Sequence, residues 1–418
     1  MAWLVATGAR RSVRGAAGLL ATSVPGAQQR SRATTARLVS VLAPKRAADN
    51  DYYDVTSSSS SSCRPSPVAD FRPSANGDTR KGICVVGCGR MGKIRAEGIL
   101  ANPGTQLVSV VDPDRKRATE LASRANVPAF WSLEEALTDP LCDAVWVAGP
   151  TPFHLECIRL AADAGKAVAV EKPVASSVED ILESHAICRA NNVPLYCSFQ
   201  RRTDRTYEEL AAAVRNGAVG AVRSVHAVFR DHPVPSMEFL KQGGDIFHDL
   251  APHDVDFVCF SLGLGEPSEV YATAHSFLPQ LEQAGVKDSA HCLFTFPSGA
   301  VFTLEMTRCS AYGYDNRIEV MGEKGMLSLG NPPSSGLEFF DSRGCFTSPP
   351  QHSFPQRFRE AYAMEVGAFE RALRGTAEPP VTCHDSCRTT HMAEQASLSA
   401  ERGRPVAISF EGIMNAAR

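Results

Sequence analysis

KGICVVGCGRMGKIRAEGI, residues 81–99, decides the fold. Ile83 to Val86 form a short apolar run of the kind that makes a strand buried on both faces, and it opens directly into Gly87, Gly89 and Gly92. The spacing is G-x-G-x-x-G, with a helical pattern following. Gly87 permits the tight turn, Gly89 lets the backbone approach a pyrophosphate, and Gly92 lets the helix pack close on the strand. With Arg90 and Met91 between them, these positions open a helix whose N–H groups would face phosphates. A second strand, Leu107 to Val111, delivers Asp112 at its carboxyl end. A carboxylate there accepts hydrogen bonds from an adenosine ribose and repels a 2′-phosphate, which points to NAD. Arg115 and Lys116 lie just beyond and could receive that phosphate, so NADP is the less favoured alternative.

Alternation of strand and helix continues from there. A helix over about 114–125, a short strand near 127–131, a helix from Ser132 and the apolar strand DAVWVAG give the rhythm of a doubly wound parallel sheet, an α/β Rossmann domain. DAVWVAG ends at PTPFH, where Thr151 reads as an N-cap with Pro152 at the first helical position. Ligands of such sheets bind outside strand carboxyl ends, so Pro150, Thr151 and His154 should line the cofactor cleft. The next strand, KAVAVEKPVA, ends in Glu171, Lys172 and Pro173, which places an acid and an amine at the same edge. PLYCSFQ then reaches Arg201 and Arg202, which either hold polar substrate or cofactor groups or make structural ion pairs.

Beyond residue 202 the pattern changes. Strand-like runs occur at AVRSVHAVFR, EVYATAHSF, HCLFTFPSGAVFTLEMTR, NRIEVMGEKGMLSLG and LEFFDSR, with Pro-Ser-Gly and Gly-Glu-Lys-Gly as turns, and helices follow from about Gln356. This is an α+β domain. Asp249 and His253 are one helical turn apart and share a face. Pro252 between them is tolerated only in a first turn, so the helix should begin close to Asp249. Tyr312, Tyr314 and Tyr362 could offer hydroxyls to a sugar-like pocket or serve as packing.

The chain has 418 residues, 44% hydrophobic and 21% charged, enough for two domains and an extension. No apolar run approaches a membrane span, and a net charge of −3 offers no basic surface for nucleic acid. Residues 1–48 differ: they hold eight basic residues and no acid amid many Ala, Ser and Thr, the composition of an organelle transit peptide. A mitochondrial destination is expected, with plastid or cytoplasmic residence as alternatives. Residues 49–79, with SSSSSSCRPSP, read as a disordered linker. The expected organisation is therefore leader, linker, a nucleotide domain over 80–202 and a substrate and oligomerisation domain over 203–418. Of thirteen cysteines many sit inside strand or helix patterns and read as buried thiols. Cys383, His384, Cys387 and His391 lack a second paired set with zinc spacing, and no metal site is expected.

In this order, GCGRMG, the strand-end EKP, FQRR, GGDIFHDLAPHDVD and YGYDNR resemble the glucose-fructose oxidoreductase, inositol dehydrogenase and MocA family, nearest to its inositol 2-dehydrogenases. The resemblance runs from about Lys81 to the C-terminus. It implies a second domain with a large, mostly antiparallel open sheet, association into a homodimer or homotetramer, and a catalytic group of Lys172, Asp249 and His253 at the nicotinamide. It keeps Asp254 as a lesser candidate for the substrate site; by their places at strand ends, Glu171 is expected at the cofactor and Arg202 at the substrate, the ion-pair reading of Arg202 staying open. The expected activity is NAD-dependent oxidation of a secondary hydroxyl of a cyclic polyol such as myo-inositol. A dehydrogenase of a dihydrodiol or other sugar derivative, or a non-catalytic regulator of the same family, are the alternatives.

Overall fold

A computed structural model of the chain describes residues 79–242 and 244–416, so the expected leader and nearly all of the expected linker lie outside the described residues. The first sheet has six strands: β1 (Lys81–Val86), β2 (Thr105–Val111), β3 (Ala129–Phe130), β4 (Ala144–Val147), β5 (Ala167–Glu171) and β6 (Leu195–Ser198). They are ordered β3-β2-β1-β4-β5-β6, and every pairing is parallel. Strand order reverses beside β1, which makes the crevice between the carboxyl ends of β1 and β4 the switch point of a Rossmann fold. β1 and β4 are covered on both faces, which is why ICVV and AVWV are apolar without alternation.

The second sheet has seven strands: β7 (Val222–Arg230), β8 (Glu269–His275), β9 (Ser289–Thr295), β10 (Val301–Thr307), β11 (Asp315–Gly322), β12 (Met326–Leu329) and, after a two-stranded hairpin of β13 (Glu338–Asp341) and β14 (Gly344–Thr347), β15 (Val406–Ala407). Its order is β12-β11-β7-β10-β9-β8-β15. Only β7 and β10 run parallel. Phe302, Leu304 and Met306 of β10 are buried while Val301, Thr303 and Glu305 face the other way, the period-2 signature of a sheet with one packed face. The packed face meets helices, and the other leaves Tyr271, Leu293 and Met321 exposed.

Residues well beyond 202 also contribute to the cores of the first sheet. Helix Arg359–Leu373 returns to the first sheet, where Phe369 packs edge-on to Trp146 at 5.5 Å and also meets Tyr196. A Cβ at Gly98 would lie 3.1 Å from Val366, a close helix-helix approach. Val381 and Cys387 likewise join the core on the opposite face of that sheet. Two local expectations are corrected. Thr151 is not an N-cap: it lies inside a 3-10 turn, Thr151–Phe153, and the α-helix starts at His154 without a side-chain cap. Nor does the helix of Asp249 begin there. It begins at Ile246, capped by Asp245, and a second segment, Ala251–Asp256, follows after a break at Leu250, because Pro252 has no N–H to continue the ladder.

Candidate active site

The glycine turn has the shape a dinucleotide requires. Gly87 has φ +92°, and a Cβ there would lie 2.7 Å from the Gly149 nitrogen. At Gly92 a Cβ would lie 1.8 Å from the Gly87 carbonyl oxygen, so only glycine lets the helix Arg90–Ala101 approach. At Gly89, the N-cap, a Cβ would meet nothing within 4 Å and no side chain caps the helix. The backbone is therefore bare on the side where a pyrophosphate would lie. Asp112, 7% exposed, accepts from the N–H of Cys88 and of Asp114, each at 2.8 Å. Each oxygen keeps a lone pair for a ribose hydroxyl. Arg90 reaches across to the second domain, donating to Ser353 Oγ at 2.8 Å above the Phe354 ring. Met91 packs against the second core.

Pro150 and Thr151 stand at the carboxyl end of β4. His154 is buried, with Nε2 2.9 Å from the Gly149 oxygen and Nδ1 2.9 Å from the Pro173 oxygen, so it ties the ends of β4 and β5 together. Glu171 turns into the protein, where Oε1 accepts from Arg95 Nε at 2.6 Å and from Trp146 Nε1 at 3.1 Å. Arg95 also pairs with Glu365 at 2.8 Å and donates to Ser198. Its guanidinium lies over the rings of Trp146 and Tyr362.

Lys172, the next residue, points the opposite way and meets the second domain. Its Nζ donates to the Asp249 main-chain oxygen at 2.5 Å and to Oδ1 at 3.2 Å. Asp249 Oδ2 accepts from Arg308 at 2.6 Å. Burial alone would raise the Asp249 pKa, but Lys172 and Arg308 outweigh it and hold the carboxyl below the ordinary range. His253 follows on the next turn, beside Phe199 and Phe229, and its Nδ1 has no hydrogen-bond partner among the described residues. Burial first, then the charges of Lys172 and Arg201, keep this imidazole well below its usual pKa and therefore neutral. A primary amine, a fixed carboxylate and a neutral imidazole thus converge from two domains.

The remaining sequence candidates divide. Tyr314 is buried against Phe229 and Phe358, and the register pairing Arg230 with Asp315 sets it beside Asp231 at the end of β7. Tyr362 is buried beneath Arg95. Tyr312 is half exposed, its hydroxyl engaged by Asp315 and Arg230. Asp254 is fully buried in an ion pair with Arg201, and Arg202 is held by Asp256, Asp385 and the Pro380 oxygen. Asp231 and Arg308 had not been singled out from sequence. Burial pushes the Asp231 carboxyl up to about 7, against the opposing pull of Arg90 and Arg308. No group of three or more His, Cys, Asp or Glu among the described residues is arranged to hold a metal ion. Among them, no helix is long and apolar enough to cross a membrane.

Comparison with known proteins agrees with this fold. The profile of an oxidoreductase family with an NAD-binding Rossmann fold matches residues 81–199, and that of the GFO/IDH/MocA C-terminal domain matches residues 207–328. Inositol 2-dehydrogenase of Rhizobium meliloti is 32% identical over 329 residues, 78% of this chain and 98% of that protein. The scyllo-inositol 2-dehydrogenase (NAD(+)) of Bacillus subtilis is 32% identical over 334 residues, 78% of this chain and 96% of that protein. The crystal structure of scyllo-inositol dehydrogenase from Lactobacillus casei with bound NAD(H) and scyllo-inositol superposes with a TM-score of 0.73 at 25% identity, covering 78% of this chain and 99% of that one.

Proposed function

This chain belongs to the GFO/IDH/MocA family of NAD-binding oxidoreductases, and from that premise we propose that it oxidises a secondary hydroxyl of a cyclic polyol, an inositol or a closely related sugar. The observation that carries the reading is the convergence of Lys172 from β5 with Asp249 and His253 from the second domain. NAD, when bound, supplies the hydride acceptor. Gly87, Gly89 and Gly92 form its phosphate cradle and Asp112 its ribose acceptor.

An ammonium has three donors, and Asp249 takes two of those of Lys172. The third hydrogen bonds the reacting hydroxyl oxygen and draws charge towards it. His253, neutral, takes the hydroxyl proton. Asp249 orients the amine and balances its charge. Phe199 and Phe229 flank the imidazole and keep water from it.

Incubation with myo-inositol, scyllo-inositol and several aldoses, read by NADH and NADPH absorbance, tests the proposal. We expect reduction of NAD by a cyclic polyol; no reduction of either cofactor by any of them overturns it. Replacing Lys172 by Met should leave NAD binding intact and lower turnover by about 10²- to 10⁴-fold. We extend the proposal to a homo-oligomer assembled through the open sheet face carrying Tyr271, Leu293 and Met321. A sedimenting monomer at micromolar concentration would count against that extension.

A further inference from the structure

On β10 the buried residues are Phe302, Leu304 and Met306, so the alternation carries Arg308, next in phase, inward. Arg308 is 0% exposed. Its Nη1 meets Asp249, while Nε and Nη2 have no hydrogen-bond partner among the described residues. If packing were all that this position had to provide, Leu or Met would serve better, because each buried unpaired donor costs about 1–3 kcal/mol. A buried guanidinium left with two unmatched nitrogens is retained for what its charge and its one bond do. That bond goes to the oxygen of Asp249 that Lys172 does not use.

We propose that Arg308 is a positioning residue of the oxidation site, locking the Asp249 carboxylate so that its second oxygen and its main-chain carbonyl hold Lys172 against the reacting hydroxyl. The inference rests on the polyol-oxidation reading above. Without Arg308 the carboxylate is pinned on one side only, and rotation about its side chain releases the amine. The electrostatics change as well. Lys172, Arg308 after β10 and Asp231 after β7 act on Asp249, Lys172 and Arg201 after β6 act on His253 of the next helical segment, and Arg90 from the glycine turn acts on Asp231. Two cations share the Asp249 carboxylate. With one removed, its negative charge favours the protonated form of His253 more strongly.

The test is the pH dependence of polyol oxidation by Arg308→Met, Arg308→Gln and Arg308→Lys, with NADH binding by fluorescence and thermal melting as controls. In Met and Gln we expect kcat lower by about 10- to 100-fold, KM changed by less than about threefold, and the ascending limb of the kcat–pH profile about one pH unit higher. Lys, which keeps the charge, should return the limb towards wild type and recover part of kcat. If Met does not fold, Gln, which removes the charge and is too short to reach Asp249 Oδ2 as the guanidinium does, gives the same reading. A folded Gln variant with wild-type kcat and an unmoved limb overturns the inference, and so does a loss of turnover fully matched by a loss of cofactor affinity. If the wild-type protein oxidises no polyol, the functional reading falls and the inference with it; if it does and the variants match it, only the inference falls.

Discussion

Replacing Arg95 by Met is the sharpest test of how the fold supports the site. Arg95 lies in the helix that follows the glycine turn, is fully buried, and serves two carboxylates, Glu171 at 2.6 Å and Glu365 at 2.8 Å. Methionine keeps much of the stem and leaves those carboxylates facing each other with no cation. Breaking one buried ion pair from one side costs about 3–5 kcal/mol. Loss of the guanidinium from over Trp146 and Tyr362, 4.5 and 4.8 Å from their ring centres, adds about 0.5–2 kcal/mol. Against a total stability of about 5–15 kcal/mol this is a large share. The deficit should also depend on pH. Burial already pushes the Glu365 carboxyl up to about 7 against the pull of Arg95; without that cation it rises further, so stability present at low pH is lost as pH rises through that range. Urea unfolding followed by tryptophan fluorescence, with Trp146 inside the network, should therefore show a larger deficit at pH 8 than at pH 5. A second change, Glu365→Gln, which can still accept from Ser198, should recover part of it. A deficit under about 1 kcal/mol at pH 8, or one equal at both pH values, would refute the reasoning.

Other expectations follow from single positions. Gly92→Ala pushes a methyl into the Gly87 carbonyl and should both weaken NADH binding and lower the melting point, whereas Gly89→Ala meets no protein atom and should weaken binding by about tenfold or more while stability changes by less than about 0.5 kcal/mol. Equal melting losses in the two variants would contradict the cradle geometry. Asp231, raised from 3.8 to about 7, contributes stability that is present below about pH 4 and lost as pH rises through about 7. At about 1.36 kcal/mol per pH unit between those values the difference approaches about 4 kcal/mol, so Asp231→Asn should melt higher than wild type at pH 8 and not at pH 4. Parallel melting curves across that range would remove Asp231 as the titrating group. Phe369→Ala should cost about 3–5 kcal/mol, because it takes away the ring that joins the C-terminal helix to Trp146. A loss below about 1 kcal/mol in urea would show that joint to be dispensable.

Local pattern was enough for the glycine turn, the acid after β2 and the amine after β5, since each is a backbone requirement written next to the residue that meets it. It was also enough for β7 to β12, whose alternation survives in the folded sheet. It was not enough for Arg95 and Arg308. Both are cations at positions of apolar phase, one on a helix face and one in strand alternation, and the partners that justify them are 76, 270 and 59 residues away in Glu171, Glu365 and Asp249. The legible signal was the breach of the pattern: a charge where Phe302, Leu304 and Met306 predict a hydrophobe. Arg202 and Asp254 failed to separate from the site for the converse reason. Their ion pairs with Asp256 and Arg201 are made by tertiary neighbours that no local spacing reveals.

Asp112 has a consequence for attempts to exchange the coenzyme. Its two oxygens already hold the Cys88 amide, inside the glycine turn, and the Asp114 amide at the next helix. The side chain proposed to discriminate against a phosphorylated ribose is also the brace of the loop that receives the pyrophosphate. Trading it for a small neutral residue to admit NADP therefore slackens the grip on every dinucleotide at once. Retargeting this enzyme calls for a replacement that keeps an acceptor for Cys88 while a cation is supplied from elsewhere, for which Arg115, at the start of the next helix and now over the Trp131 ring, would have to be turned.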